Sequence, residues 1–417
     1  MASTPRLDGD PDERIPFLLN LASALHSSGH ASHRLEEVLE ATSNHLALTG
    51  QYFATPTSIF ASFGTELLQR TFMIRTEPTP PDLGRLVRVM EIAQAVLSGA
   101  QTPGQGTRRL VQLEQSRRAT GWWQVAAFGL AAGGAASFLG GGWPEIWVAG
   151  GAGLAAGLLA LVAGRVAALG RVFEMAAASL CAFGVAAIGA TTGAVSVPIA
   201  TLAGLIVLIP GLTLTTAIAE LANRQLTAGT SRMASALMTF FGIGFGVALG
   251  GRLAAALLGP APAVTPIPLS TAMIWPAVLV SAVSFAILLK ADPRDTGWIM
   301  VAAVVAVIAS QAGTSLLGPG LGVFVGALAV GVGSSLFSRL NHRPSAVTLV
   351  PGLLTLVPGS VGFRSLSALM ENEVVAGVDA AFTMFLTAVS LVAGLLAAAA
   401  VFPDEPLVKS GSTGLAR

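Results

Sequence analysis

Long apolar runs separated by short polar joints fill this chain from Gly121 onward. They cover about 122–142, 146–164, 173–192, 194–210, 230–251, 271–290, 297–317, 319–338, 344–358 and 378–402. Each is near the ~20 residues that cross a hydrocarbon core as a helix, apart from the two that end at Pro-Gly. Before Gly121 the apolar positions have the shorter periods of a water-facing domain. Phe17, Leu18, Leu21 and Leu25 give 15–27 helical spacing. Ser32 is placed to cap a second helix running to Leu48, with Glu36 near its start. Segments 57–63 and 67–75 read as strands around a Gly64-Thr65 turn. Pro81 opens a helix with Leu86, Val89, Met90, Ala93 and Val96 on one face, and 107–115 forms a last one.

Charge sharpens this division. The chain is 53% hydrophobic and 11% charged, with mean hydropathy +0.72, whereas a soluble domain carries about 25% charged residues. Residues 1–120 and 404–417 hold 27 of the 45 charges, and the 283 residues between them hold 18. The expected organisation is a disordered lead (1–14), a small cytoplasmic α+β domain (15–120), two five-helix membrane repeats (121–262 and 263–403) and a cytoplasmic tail (404–417). The fold class is an α-helical polytopic membrane protein. A net charge of +1 argues against a nucleic-acid partner, and the single cysteine, Cys181, excludes an intrachain disulfide. Residues 1–14 lack the apolar core of a signal peptide, so the first span is expected to serve as the insertion signal.

The repeat is legible in one stretch and its echo. Gly204–Gly211 ends in Pro210-Gly211, and 352–359 ends in Pro358-Gly359. A shift of 148 positions superposes them and carries Leu221 onto Leu369, Ala228 onto Ala376, Gly229 onto Gly377, Thr239 onto Thr387 and Gly246 onto Gly394. Proline and glycine break a helix, and backbone freed inside a membrane must face protein or water. Two matched breaks mark a transporter's binding region. With the amino terminus inside, the inner connections hold Arg165, Arg171, Arg224, Arg232, Lys290, Arg294, Arg339 and Arg343, and the outer ones only Arg252 and Arg364. Arg108, Arg109, Arg117 and Arg118 flank the first span. This positive-inside bias puts both termini in the cytoplasm. Five spans per half is odd, so the repeats are inverted. The six tryptophans fall at span ends, as an aromatic belt does.

Pro210-Gly211-Leu212-Thr213-Leu214-Thr215, then Glu220-Leu221, Gly229 and Arg232, resemble the signature of the threonine/serine exporter family. Leu349-Val350-Pro351-Gly352 with Leu356-Val357-Pro358-Gly359-Ser360 resembles its second motif. Leu25-His26-Ser27-Ser28-Gly29, with Arg34-Leu35-Glu36, is similar to its soluble domain. The resemblance implies a ten-span, proton-driven exporter of small hydroxy amino acids in the cytoplasmic membrane. Related two-subunit systems are linked to dicarboxylate export, so succinate-like substrates stay open.

The residue chemistry fits such a carrier. Residues 212–227 are expected to form one amphipathic helix with Thr213, Thr216, Glu220, Asn223, Arg224 and Thr227 in one sector. The bland reading is a wet interfacial face on which Glu220 pairs with Arg224. The functional reading is a cavity wall: Pro210, Gly211, Thr213, Thr216, Glu220, Pro358, Gly359, Ser360 and Gln311 hold the substrate, while Glu220 or Asp379 carries the coupled proton. Asp379 opens the last span, where a helix dipole alone accounts for a carboxylate. Gln311 otherwise serves as helix-packing glue, and Gly242, Gly246 and Gly250 form overlapping GxxxG patterns. In the second half Ala368 stands opposite Glu220, and Glu371 opposite Asn223. His26, His30 and His33 lack the further ligands of a metal site, and Glu36, Glu37 and Glu40 read as an exposed face. No cofactor is expected. No Gly-x-Ser-x-Gly supports a membrane-anchored hydrolase and no Walker sequence supports an ATP-driven pump. A channel has no need of two inverted breaks. Homo-oligomerisation is left open.

Overall fold

The computed structural model describes residues 13–65, 67–116, 121–356 and 373–402, with single positions at 359, 361, 362, 365 and 368. Most of the expected lead, the expected tail, Arg117, Arg118, Pro358, Ser360, Arg364 and Glu371 lie outside the described residues.

The amino-terminal unit packs four helices on a small sheet. These are α1 (Arg14–His26), α2 (Ser32–His45), α3 (Leu83–Leu97) and α4 (Pro103–Gln115), with β1 (Gly50–Thr55), β2 (Ser58–Thr65) and β3 (Leu68–Arg75). The strands run antiparallel in the order β1-β2-β3. Ala54, Ile59, Ala61 and Phe63 close one sheet face over Phe17, Leu18, Leu21 and Leu25 of α1, giving the unit a core of its own. β1 is an element the periodicity reading lacked, and α2 was expected to reach Leu48. The helix stops earlier: Ala47 takes a φ of 53°, and the Leu48 N–H returns to the Ser43 carbonyl at 2.9 Å. This is a Schellman stop without glycine. Ser32 is the first helical residue rather than the cap, a position held by Ala31, and its hydroxyl has no partner. Asp82 caps α3 by accepting from the Arg85 N–H at 2.9 Å. A Thr102/Gln105 capping box starts α4 before residue 107.

The remaining helices are α5 (Trp122–Phe138), α6 (Trp143–Ala163), α7 (Ala167–Gly170), α8 (Phe173–Thr192), α9 (Val197–Gly204), α10 (Gly211–Ala222), α11 (Leu226–Leu258), α12 (Ile274–Leu288), α13 (Thr296–Leu317), α14 (Pro319–Asn341), α15 (Ala346–Leu354) and α16 (Val374–Val401). Among the described residues, seven helical stretches are long and apolar enough to cross a membrane: α6, α8, α11, α12 with the helical turn before it (Thr271–Leu288), α13 with the turn before it (Pro293–Leu317), α14 and α16. α5 has 17 residues, and α9 and α15, which approach the two Pro-Gly pairs, have 8 and 9.

The helix expected over 212–227 is two helices. α10 stops at Ala222 because Arg224 takes a φ of 61°, with Gln225 N–H on the Glu220 carbonyl at 2.8 Å and Arg224 N–H on the Leu221 carbonyl at 3.0 Å. α11 begins at Leu226 and runs 33 residues, longer than the span 230–251.

Two helix pairs pack by the same device. A Cβ at Gly246 of α11 would collide with the Met175 carbonyl, Ala178 Cβ and Ser179 N of α8. A Cβ at Gly394 of α16 would meet the Phe324 carbonyl, Ala327 Cβ and Leu328 N of α14. Only glycine permits this approach of one helix to another's backbone. Gly250 also faces α8, whereas Gly242 faces open space. α5 and α12 join the two sets of helices, with Gly134 against Ser281.

Candidate functional site

Gly359 lies against Ile209 and Gly211. A Cβ at Gly359 would stand 2.7 Å from Ile209 Cγ2, 3.5 Å from Gly211 Cα and 3.8 Å from Gly211 N. Proline at 210 fixes the approach: the chain leaves α9 at Gly204, turns through 205–209, and restarts as α10 at Gly211 with Pro210 at its cap position. Thr215 turns its hydroxyl back to the Gly211 carbonyl at 3.0 Å. Thr213 and Thr216 are half-buried on the same helix.

Glu220 has no exposure at all. Arg232, on the first turns of α11, donates Nε to both carboxylate oxygens at 3.0 and 2.9 Å. The Ser32 N–H, from the amino-terminal unit, donates to Oε1 at 3.1 Å. A buried carboxylate needs such partners, because an unpaired charge removed from water is costly. Its partner is thus Arg232, across the turn, rather than Arg224, which is exposed. Close by, Gln225 donates to Glu36 Oε2 at 2.7 Å, and the Ala54 N–H donates to Glu36 Oε1 at 2.6 Å. Glu36 therefore departs from the exposed face expected of it, which Glu37 and Glu40 do form. Burial pushes its carboxyl above the usual range, against the pull of those two donors.

The three histidines border this region without forming a metal cluster among the described residues. His26 places Nε2 3.1 Å from the Pro56 carbonyl. Burial lowers all three, His30 to about 4. Arg232 adds to the lowering at His26 and His33, and Glu37 and Glu220 oppose it at His33.

Gln311 lies exposed on α13 and Asp379 lies exposed near the start of α16. Neither is among the groups gathered on Glu220. Two further tethers escaped the sequence reading. Glu145, in the first turn of α6, accepts from the Ser196 N–H at 2.8 Å, just before α9. Asp295, just before α13, takes Arg343 Nη1 on both oxygens at 2.6 and 2.5 Å, just before α15. For Glu145 the advance signal was a lone charge between apolar runs, and for Asp295 there was none, since it lies in a joint with Lys290, Asp292 and Arg294.

The "Putative threonine/serine exporter" family model matches residues 16–254, and the "Threonine/Serine exporter, ThrE" model matches 275–401. A Pheromone-regulated membrane protein 10 of Candida albicans is 30% identical over 248 residues, covering 58% of this chain and 22% of that protein. A protein of the same name from Yarrowia lipolytica is 26% identical over 377 residues, covering 87% and 31%. An uncharacterized protein of Schizosaccharomyces pombe is 27% identical over 370 residues, covering 84% and 48%. The chain thus spans less than half the length of these relatives. No solved structure matches. On the two family matches, which together take in the amino-terminal unit and both sets of helices, the chain belongs to the threonine/serine exporter family.

Proposed function

We propose that the chain exports threonine and serine across the cytoplasmic membrane in exchange for protons. It does so with ten spans in two inverted five-span halves and with both termini in the cytoplasm. Family membership supports the substrate class. The approach of Gly359 to Gly211 is the observation that supports the location of the site: in the two-repeat reading, broken helices of different halves come together there, where freed backbone groups can serve a polar substrate.

The paired packing of Gly246 and Gly394 supports the repeat. So does a second pair at the same shift of 148. A Cβ at Gly229 would stand 2.9 Å from the Ala217 carbonyl, and Ser365 Oγ donates to the Gly377 carbonyl at 2.6 Å. The excess of arginine and lysine in the inner connections supports the orientation.

In this reading Pro210, Gly211, Pro358, Gly359 and Ser360 shape the pocket. Thr213 and Thr216 offer hydroxyls along α10. The α10 N–H groups face the substrate carboxylate. Glu220 carries the coupled proton, with Asp379 as second carrier. Asp379 and Gln311 are exposed within spans; a charge such as Asp379 costs about 2.5–3.5 kcal/mol in hydrocarbon on the insertion scale, and the Gln311 amide is also costly there without a partner, so both are assigned to a water-filled path.

Counterflow of labelled threonine in proteoliposomes tests the reading. Threonine and serine should exchange, and an inward pH gradient should drive uphill threonine movement. Exchange of succinate in place of threonine would transfer the mechanism to dicarboxylates. A flux of either that is indifferent to the pH gradient would remove the proton step.

A further inference from the structure

Among the described residues, two helix N-termini of the amino-terminal unit donate backbone hydrogen bonds to the membrane helices. At the first, α2 presents the Ser32 N–H to Glu220 at 3.1 Å, beside the Gln225–Glu36 hydrogen bond. At the second, α3 presents the Leu83 N–H to the Leu289 carbonyl at 2.9 Å and the Gly84 N–H to the Lys290 carbonyl at 3.2 Å. Unsatisfied donors and partial positive charge at a helix start favour carboxylates and helix-end carbonyls as partners. The receiving turns are alike. Each ends a helix in a Schellman motif with a basic residue, Arg224 or Lys290, in the left-handed conformation.

The two prongs keep a fixed spacing. Gly29, with a φ of 76°, turns the chain between α1 and α2, and a Cβ there would stand 2.6 Å from Pro81 Cα. The Asp82 N–H donates to the Ser28 carbonyl and Thr79 Oγ1 donates to the Ser27 carbonyl, both at 3.1 Å. α1, α2 and α3 share one apolar core. Separating the prongs means breaking that core.

The two docks differ in kind. Around the α3 prong, Val87 packs with Phe337 and Val347, and Ala346 packs against the unit's core. The α2 prong rests on hydrogen bonds and the Glu220–Arg232 pair. Water replaces polar partners when a dock opens, whereas apolar burial is lost outright. The α2 prong is therefore the releasable one. It also holds a lever: α10 is 12 residues, about 18 Å, with Gly211 at one end against Gly359 and Glu220 near the other.

We infer that the amino-terminal unit is a two-pronged clamp across the two halves, and that the substrate path opens to the cytoplasm when α2 leaves Glu220 while α3 stays on α12. This rests on the exporter reading above. The test uses the full chain with Cys181→Ser. One version carries Glu36→Cys with Gln225→Cys, pinned by a cleavable thiol crosslinker. The other carries Asp82→Cys with Lys290→Cys, pinned in the same way. Thr216→Cys, added for a labelling readout alone, reports access from the cytoplasmic side in inside-out vesicles.

Pinning α2 should lower that labelling about tenfold or more and abolish threonine counterflow, and cleaving the linker should restore both. Pinning α3 should change neither by more than about twofold. Unchanged labelling with α2 pinned, or equal loss with α3 pinned, overturns the clamp. Labelling that follows the pin in a protein with no counterflow before pinning leaves the clamp standing and sinks the exporter reading instead.

Discussion

The backbone N–H of Ser32 donates to the carboxylate of Glu220 at 3.1 Å, across 188 residues of chain. No side chain on α2 makes this bond, so an alanine scan passes over it. Ser32→Pro isolates it. Proline is favoured at the first helical position, and Ala31 already has the extended backbone, φ −65° and ψ 145°, that a residue before proline adopts. Only the donor disappears. The α2 dock should weaken by about 1–3 kcal/mol, the cost of leaving a buried acceptor one partner short. Hydrogen exchange of α2 in the full chain should rise with the rest of the unit unchanged. Ser32→Ala should leave exchange at the parent level, since the hydroxyl has no partner.

Gly246 and Gly394 should behave as a pair. Each sits against the backbone of a neighbouring helix, at carbonyl, Cβ and N positions spaced alike. Alanine at either should force the helices apart and cost about 1–3 kcal/mol. Gly242→Ala should be neutral, because nothing lies within 4 Å of its added carbon. Thermal unfolding in detergent checks all three. A loss at Gly246 without one at Gly394 would count against equivalent halves.

These glycines also mark what the sequence made legible. Long apolar runs announced the seven helical stretches long and apolar enough to cross a membrane, because membrane crossing has a strong local signature, and the echo at 148 residues carried Gly246 onto Gly394, which pack alike. Helix ends were harder. Ala47, Arg224 and Lys290 all close Schellman turns, a place where sequence reasoning looks for glycine. Missing the stop at Arg224 carried the expected helix over 212–227 past the start of α11 and hid Arg232 as the partner of Glu220. Glu36 read as solvated because its partner Gln225 is 189 residues away. Periodicity within a helix carries no information about a dock between distant segments.

Mild acid should loosen the α2 region. Burial, chiefly, holds His26, His30 and His33 below the ordinary 6.5, with His30 at about 4. Arg34 adds to the lowering at His30 and His33, as does Arg232 at His26 and His33, while Glu37 and Glu220 oppose it at His33. A histidine lowered by folding contributes stability that is full above about 6.5 and lost as pH falls through the folded value. Glu36, raised chiefly by burial, works in the opposite sense against three histidines. Hydrogen exchange at the start of α2, corrected for its intrinsic pH dependence, should therefore increase as pH drops from about 7 to 5. His33→Gln should flatten that rise. A slope unaffected by the substitution would remove His33 from the response.

Glu220 separates two roles in one set of variants. In the exporter reading, protonation cancels the charge pairing of Glu220 with Arg232 and weakens its hold on the Ser32 N–H, which ties the coupled proton to release of the α2 prong. Glu220→Gln keeps the size and fixes the neutral form. It should abolish pH-driven threonine export while leaving threonine-for-threonine exchange, because exchange needs only reorientation of the loaded carrier. Glu220→Asp should keep part of the driven flux with a shifted pH optimum. Arg232→Met leaves the carboxylate buried and unpaired, and should cost about 3–5 kcal/mol of stability. Glu220→Gln combined with Arg232→Met removes both charges and should recover most of that loss without recovering driven export. Thermal unfolding reads the first comparison, and side-by-side efflux and exchange read the second. Driven export that survives in Glu220→Gln would confine Glu220 to the dock with Arg232 and Ser32, and the coupled proton would then be sought at Asp379.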